Sequence, residues 1–145
     1  MEVGCRSVHG TGGSAGSHCA IRTGQEEVIE LNREPGTDNV DILTYPANDE
    51  RATGFDWHAV PTPEGQTPSQ FESNVKRAAK HIGPGFEAEP YNSGSRRNSN
   101  FFVYPVIKGA GGRIPRSAVG RGGVFHAVGL CGGGGRFAVG CDCSN

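Results

Sequence analysis

Four residues of this sequence have the side chains that acyl-transfer chemistry requires. Ser99 offers a hydroxyl nucleophile, and His18 offers an imidazole that could act as its general base. Glu30 and Asn32 are two candidates for the polar group that orients the imidazole. Such a nucleophile works when the base lies within hydrogen-bond reach and a third group holds the base in place. These residues predict a hydrolase or acyltransferase site for an amide or ester bond.

Ser99 lies between Asn98 and Asn100, where a helix is predicted to begin. The free backbone N–H groups of a helix N-terminus stabilise an oxyanion, and the two Asn side chains could cap the helix or add oxyanion donors. Ser and Asn are also preferred as capping residues with no catalytic role. A purely capping Ser99 is therefore the alternative to a nucleophilic one.

Other residues compete for these roles less well. His58 is a rival base, but its neighbour Trp57 indicates a strand that packs in the core. Cys19 is a rival nucleophile, but adjacent strand residues point to opposite faces, so Cys19 is expected in the core rather than against His18. His126 falls in the Gly-rich tail.

No metal or cofactor is expected. Cys141 and Cys143 are separated by one residue, whereas paired zinc ligands usually have two to four residues between them. The glycines at 132–135 are not followed by the Lys-Ser or Lys-Thr of a phosphate-binding loop.

The strands that must position these residues follow from short apolar runs bounded by Gly, Pro and Asn. Such runs predict strands at residues 17–23, 27–32, 40–45 and 54–60. The first two, joined by a Gly-containing turn, form a hairpin that brings His18 beside the candidates for its orienting group.

Two helices are predicted after the strands. Apolar side chains at spacings of three and four predict a helix over residues 69–82, opened by Thr67 or Ser69 and stopped by Gly83 and Pro84. A second helix begins at residues 98–100, and Pro105 is expected to kink or end it. The predicted fold class is α+β: a small antiparallel sheet packed against two or three helices.

Composition bounds the rest. The chain has 145 residues, 24 of them Gly, and a net charge of −1. One domain is expected, over residues 17–120, with a flexible Gly-rich arm at 1–16 and a Gly/Cys-rich tail at 121–145. The charge balance disfavours nucleic acid as a partner, and no apolar run is long enough for a membrane span.

The order of these parts resembles that of the circularly permuted papain-like domains. A His-x-Ala-Ile strand at 18–21 is followed by its hairpin partner and an amphipathic helix. Then come a Tyr-containing loop and N-S-N-F-F at 98–102, with G-x-x-x-P after it. This group includes NlpC-type cell-wall peptidases, lecithin:retinol acyltransferase-like proteins and modules of bacterial polymorphic toxins. The resemblance covers roughly residues 17–118, a normal single-domain span.

The resemblance implies a role for each residue. His18 matches the family His, Ser99 falls at the position of the family Cys, and Glu30 or Asn32 would be the polar third member. The chain departs from the pattern in having Ser for Cys, because a hydroxyl is far less acidic than a thiol and needs a stronger base. Pro105 is a second departure, because it interrupts a helix that the family continues.

Three functions follow as hypotheses. The first is a hydrolase or acyltransferase that acts on a peptide, lipid or cell-wall-type substrate, as a toxin, effector or peptidase-like module with an immunity or carrier protein as partner. The second is a catalytically inactive papain-like domain that binds a peptide, glycan or partner protein. The third is a small secreted protein in which Cys5, Cys131, Cys141 and Cys143 pair.

The location of the protein is left open by the sequence. The first residues, Met-Glu-Val-Gly-Cys, lack the basic and apolar regions of a secretory signal. A cytoplasmic protein as written, or export as part of a larger carrier, is consistent with this.

Overall fold

The computed structural model describes residues 1–9, 15–24, 26–37, 39–87, 99–115 and 118. Within these residues the fold is α+β, as predicted: one five-stranded antiparallel sheet and two α-helices. The strands are β1 (Glu2–His9), β2 (Ala15–Arg22), β3 (Glu27–Arg33), β4 (Val40–Pro46) and β5 (Asp56–Ala59). The helices are α1 (Pro68–Glu87) and α2 (Ser99–Gly109), and the order in the sheet is β4-β3-β2-β1-β5.

The opening segment differs from the expected flexible arm over residues 1–16. It contributes β1, which pairs with β2 on one side and with β5 on the other. Val3 and Cys5 are buried, and the strand period of two places Arg6 on the opposite face. The flexible arm was expected from Gly10, Gly12, Gly13 and Gly16, none of which lies in β1. A Cβ at Gly4 would come within 2.5 Å of the Trp57 ring, so the glycine allows close packing between β1 and β5.

Helix α1 begins at a reciprocal cap. Thr67 Oγ1 accepts a hydrogen bond from the Gln70 N–H, and Gln70 Oε1 accepts one from the Thr67 N–H. This is the capping-box arrangement of a polar pair three residues apart. The predicted stop at Gly83 and Pro84 is wrong, because the helix continues through both to Glu87.

Helix α2 begins at Ser99 and continues through Pro105 to Gly109, so the proline does not end it. Pro removes one intrahelical bond and costs about 3 kcal/mol in an exposed helix interior. Here apolar packing offsets that cost, since four apolar side chains of α2 are fully buried: Phe102, Val103, Val106 and Ile107.

The two helices cover one face of the sheet, called here the helix face. Its core joins the odd-numbered side chains of β1, β2 and β3 to both helices. The fully buried members include Val3, Ile21, Leu31, Phe71, Val75 and Phe102. Neither α1 nor α2, the helices of the described residues, has an apolar stretch that would cross a lipid bilayer.

The other face of the sheet, called here the loop face, has a smaller core. Ala20, Val28, Tyr45 and Phe55 are its buried members, and Trp57 packs against them. The loop between β4 and β5, which includes a 3₁₀ turn at Glu50–Ala52, contributes to this face. His18 and Glu30 lie on the loop face, as their even positions on β2 and β3 require.

A disulfide joins Cys5 to Cys19, directly across the β1–β2 pair. Cys19 was expected in the core, where it is found, but its pairing with Cys5 was not foreseen. The third hypothesis instead paired Cys5 with the tail cysteines, and Cys131, Cys141 and Cys143 lie outside the described residues.

Candidate active site

His18 and Glu30 meet on the loop face. The His18 Nε2 lies 2.9 Å from Glu30 Oε2, and both side chains are largely buried, at 12% and 3% exposure. The contact is a diagonal one across β2 and β3, because Glu30 pairs with Ala20 in the register. Of the two candidates for an orienting group, the structure therefore brings Glu30 against the imidazole. Asn32 lies two residues further along β3, opposite Asp41 of β4.

Tyr45 is a third member that the sequence analysis missed. Its hydroxyl donates to the same Glu30 Oε2 at 2.9 Å. Tyr45 pairs with Val28 in the β3–β4 register, so it is the diagonal neighbour of Glu30 on the loop face. Tyr45 comes next to Glu30 through the order and register of the strands. The sequence alone does not give that pairing.

Glu30 is held as a carboxylate despite its burial. Burial alone raises the pKa of this carboxyl, but the hydrogen bond and charge of His18, the Tyr45 hydroxyl and the charge of Arg6 act in the opposite direction and leave it below the ordinary value. Burial, together with the charge and hydrogen bond of Glu30, raises the pKa of Tyr45. Tyr45 is therefore a neutral donor to an ionised acceptor.

Aromatic and cationic side chains surround this cluster. The Phe55 ring lies 5.9 Å from the His18 ring, and the Arg6 guanidinium lies 4.7 Å above Phe55. Arg6 also donates to the backbone carbonyls of Arg51 and Thr53. These contacts fix the loop over the cluster and limit the access of water to it.

Strands β2 and β3 separate beside His18. Their register includes only residues 20–22 paired with 28–30, although β2 begins five residues earlier and β3 ends three residues later. The Cα atoms of Cys5 and Cys19 are 4.1 Å apart, which is the spacing of a pair without mutual hydrogen bonds. The Cys19 N–H therefore points away from β1, towards the gap between β2 and β3.

Ser99 fills this gap. Its Oγ accepts a hydrogen bond from the Cys19 N–H at 3.2 Å and donates to Asn100 Oδ1 at 3.4 Å. Ser99 is the first residue of α2 and is fully buried, at 0% exposure. The hydroxyl thus lies against the peptide that joins His18 to Cys19, while the His18 side chain is on the loop face. The structure records no hydrogen bond between Ser99 Oγ and the His18 ring, both of which belong to the described residues.

The other candidates lie elsewhere. His58 pairs with Asp56 on β5, with Nε2 and Oδ2 3.3 Å apart and Asp56 exposed. Asn98 and His126 lie outside the described residues. Over the ranges that the structure describes, no three His, Cys, Asp or Glu side chains lie close enough together to hold a metal ion.

The arrangement can do two things chemically. A His held at Nε2 by a carboxylate keeps its proton on that nitrogen, which leaves Nδ1 as the basic atom. A hydroxyl at a helix N-terminus lies where backbone N–H groups favour negative charge.

Comparisons of this chain with protein-family models, with curated proteins and with solved structures find no match.

Proposed function

We propose that this domain is a hydrolase or acyltransferase of papain-like type that acts on an amide or ester carbonyl through Ser99, with His18 as general base and Glu30 as its orienting group. The observation that carries the proposal is the 2.9 Å contact between His18 Nε2 and Glu30 Oε2. A buried ionised carboxylate against an imidazole is the arrangement that orients a general base.

The position of Ser99 adds support. Its Oγ lies at the N-terminus of α2 and one peptide unit from His18, in the gap between β2 and β3. The backbone N–H groups of the first turn have no intrahelical partners, so they favour a developing negative charge there.

The proposed reaction begins when Ser99 Oγ leaves the Cys19 N–H and attacks the carbonyl carbon. His18 Nδ1 takes the hydroxyl proton, and Glu30 stays ionised and holds the Nε2 proton. The Cys19 N–H is then available to the oxyanion. His18 passes its proton to the leaving amine or alcohol, and an acyl-serine remains. Water, or a second nucleophile in a transferase, attacks the acyl-serine and gives its proton to His18. His18 returns that proton to Ser99 Oγ as the acyl–oxygen bond breaks, which restores the starting site.

A second candidate function is favoured by a different observation. Ser99 is fully buried, and its oxygen already accepts the Cys19 N–H. In that state the hydroxyl ties α2 to β2 and is closed to a substrate. A domain that keeps this state throughout would be an inactive papain-like module that binds a peptide, glycan or partner protein.

Fluorophosphonate labelling separates the two functions. The probe forms a bond to the oxygen of an activated Ser and loses fluoride, which intact and peptide mass measurement detects. We expect one adduct on Ser99 in the wild type, and none in Ser99→Ala or His18→Ala. Ser73→Ala, on the exposed side of α1, is the matched control and should label like the wild type.

Stability must be followed in parallel. Ser99→Ala removes the hydroxyl that accepts from the buried Cys19 N–H, which costs about 1–3 kcal/mol. Ser99→Cys keeps a nucleophile at the same atom, and a thiol-reactive probe should label it only while His18 is present. Folded wild-type protein that takes up no fluorophosphonate, and a Ser99→Cys variant inert to thiol reagents, would establish the binding function instead.

A further inference from the structure

We infer that Tyr45 is a positioning residue of the proposed site, which holds Glu30 ionised and correctly turned so that Glu30 in turn keeps the His18 proton on Nε2. This inference rests on the proposed function, because it assigns Tyr45 a role through His18 as the base. Tyr45 acts on His18 only through Glu30, so it is not a catalytic residue.

The geometry gives Glu30 Oε2 two donors at once. His18 Nε2 and Tyr45 Oη both lie 2.9 Å from that one oxygen. Tyr45 is 3% exposed and Glu30 is 2% exposed, so water competes little for either bond. An ionised carboxylate only accepts, so the Tyr45 hydroxyl must donate.

The groups that face Glu30 come from several elements. His18 lies on β2, Tyr45 on β4, and the positive charge of Arg6 acts on the carboxylate from β1. The Arg51 guanidinium lies 4.2 Å above the Tyr45 ring and fixes the ring from the loop. The carboxylate is therefore surrounded by donors and positive charge, and Tyr45 is its neutral, geometrically fixed donor.

The consequence for His18 concerns its tautomer. An ionised Glu30 can only accept, so the imidazole proton stays on Nε2 and Nδ1 remains free to act as a base. A protonated Glu30 would donate to Nε2 and move the imidazole proton to Nδ1. By stabilising the ionised carboxylate, Tyr45 keeps the base in its productive form.

The test is Tyr45→Phe, which keeps the ring and removes only the hydroxyl. In ¹⁵N-labelled protein, the shifts of His18 Nδ1 and Nε2 report the tautomer across a pH titration, with His18→Gln used to assign the signals. We expect the pKa of Glu30 to rise, and the neutral imidazole of the variant to show a larger fraction of the Nδ1-protonated tautomer than that of the wild type, because the carboxylate that holds the Nε2 proton is less firmly fixed. Tyr104→Phe, a partly buried tyrosine of α2, is the matched control and should leave both unchanged.

Activity gives a second readout. If the wild type hydrolyses an activated ester, Tyr45→Phe should lower kcat roughly tenfold, leave KM unchanged and move the acid limb of the pH profile upward. Glu30→Gln, whose amide can donate to Nε2, should produce the Nδ1-protonated tautomer at all pH values where His18 is neutral. Near-UV circular dichroism checks that both variants are folded.

The outcomes for the two proposals are separable. A wild type without esterase, amidase or fluorophosphonate reactivity defeats the proposed function, while the NMR titration still measures what Tyr45 does. A folded Tyr45→Phe protein with the wild-type tautomer and the wild-type titration of Glu30 overturns the role of Tyr45, whatever the activity.

Discussion

The two faces of the sheet differ in what they bury. The helix face buries apolar side chains from four strands and both helices, with Phe71 and Phe102 among the fully buried ones. The loop face buries a carboxylate, an imidazole and a phenol that are bonded to one another, under a few apolar neighbours. Apolar burial stabilises a fold at about 25 cal/mol per Å², whereas a buried ion costs free energy unless it is fully paired.

This difference separates stability from chemistry. The apolar core of the helix face stabilises the sheet without the titratable groups. The loop face can bury those groups because the sheet is stabilised from the other side. Ser99 is the exception, since it belongs to α2 and its hydroxyl accepts a hydrogen bond from the peptide N–H that follows His18. The proposed site thus requires both faces at that one point.

The largest loss of stability is expected when a large side chain is removed from the helix face. Phe102→Ala should lower the free energy of unfolding by about 4 kcal/mol, because it removes a fully buried ring and leaves a cavity. Urea denaturation measures this loss. Phe101→Ala, on the same helix but only partly buried, is the control and should cost clearly less. Equal losses would contradict the view that the helix face carries the stability.

Reduction of the Cys5–Cys19 disulfide tests the helix face where its strands are covalently tied. Because the bridged residues are 14 positions apart, reduction should lower the free energy of unfolding by about 3 kcal/mol. The measurement is urea denaturation with and without a reductant. The Cys5→Ala/Cys19→Ala double variant should show no response to the reductant. A response of equal size in that variant would assign the effect to other cysteines.

Glu30→Gln is the corresponding change on the loop face. It should lower stability at pH 7 by about 2 kcal/mol, because two hydrogen bonds to a buried charge are weakened. The folded-state pKa of Glu30 is below its value of 4.5 in the unfolded chain, so its contribution is present above that pH and lost as the pH falls through the folded pKa.

The pH dependence distinguishes this effect from simple packing. The gap in unfolding free energy between the wild type and Glu30→Gln should narrow on acidification below pH 4.5, as followed by urea titrations at several pH values. Asp41→Asn, exposed on β4, is the control and should track the wild type. A gap that stays constant with pH would show that Glu30 is not ionised in the folded state.

The smallest effect is expected at the rim of the loop face. Arg51 pairs with Asp49 at 2.7 Å, but both remain in contact with solvent, where an ion pair adds little to stability. Arg51→Ala should lower the urea midpoint only slightly, through loss of the cation–π contact with the Tyr45 ring. Arg6→Ala should lower it, because Arg6 bonds two carbonyl groups of the loop. A large loss of stability from Arg51→Ala would show that surface residues of the loop face also stabilise the fold.

Much of the fold could be predicted because its signals are local. The apolar spacing around Phe71 identifies α1, and the short apolar run around Val28 and Leu31 identifies β3. The ends of the helices were harder to predict, because Pro84 and Pro105 oppose a helix locally while packing against the sheet sustains it. β1 was also hard to predict, because its partner β5 lies some fifty residues away and nothing near Gly4 indicates a central strand.

The candidate site was predictable only as far as one hairpin reaches. Glu30 and Asn32 followed from the pairing of β2 with β3, but the choice between them depends on where that pairing ends. It stops at Ala20–Glu30, before Asn32 would face His18, and His18 contacts Glu30 instead. Tyr45 depends on a further strand, and the neighbour of Ser99 depends on how α2 packs. Each additional element adds a geometric choice that residue types do not specify.

The central place of β1 has a consequence for how this protein is assembled. β1 pairs with β5 from Glu2 to Cys5, for example Val3 with His58, so the hydrogen bonds on that side of β1 can form only after residue 59 exists. Until then β1 has one unsatisfied edge. A chain cut after His9 would leave β2 and β5 without the strand that lies between them. A separate peptide of residues 1–9 could then pair with both strands. The molecule is thus a natural candidate for fragment complementation, with its first strand as the removable piece.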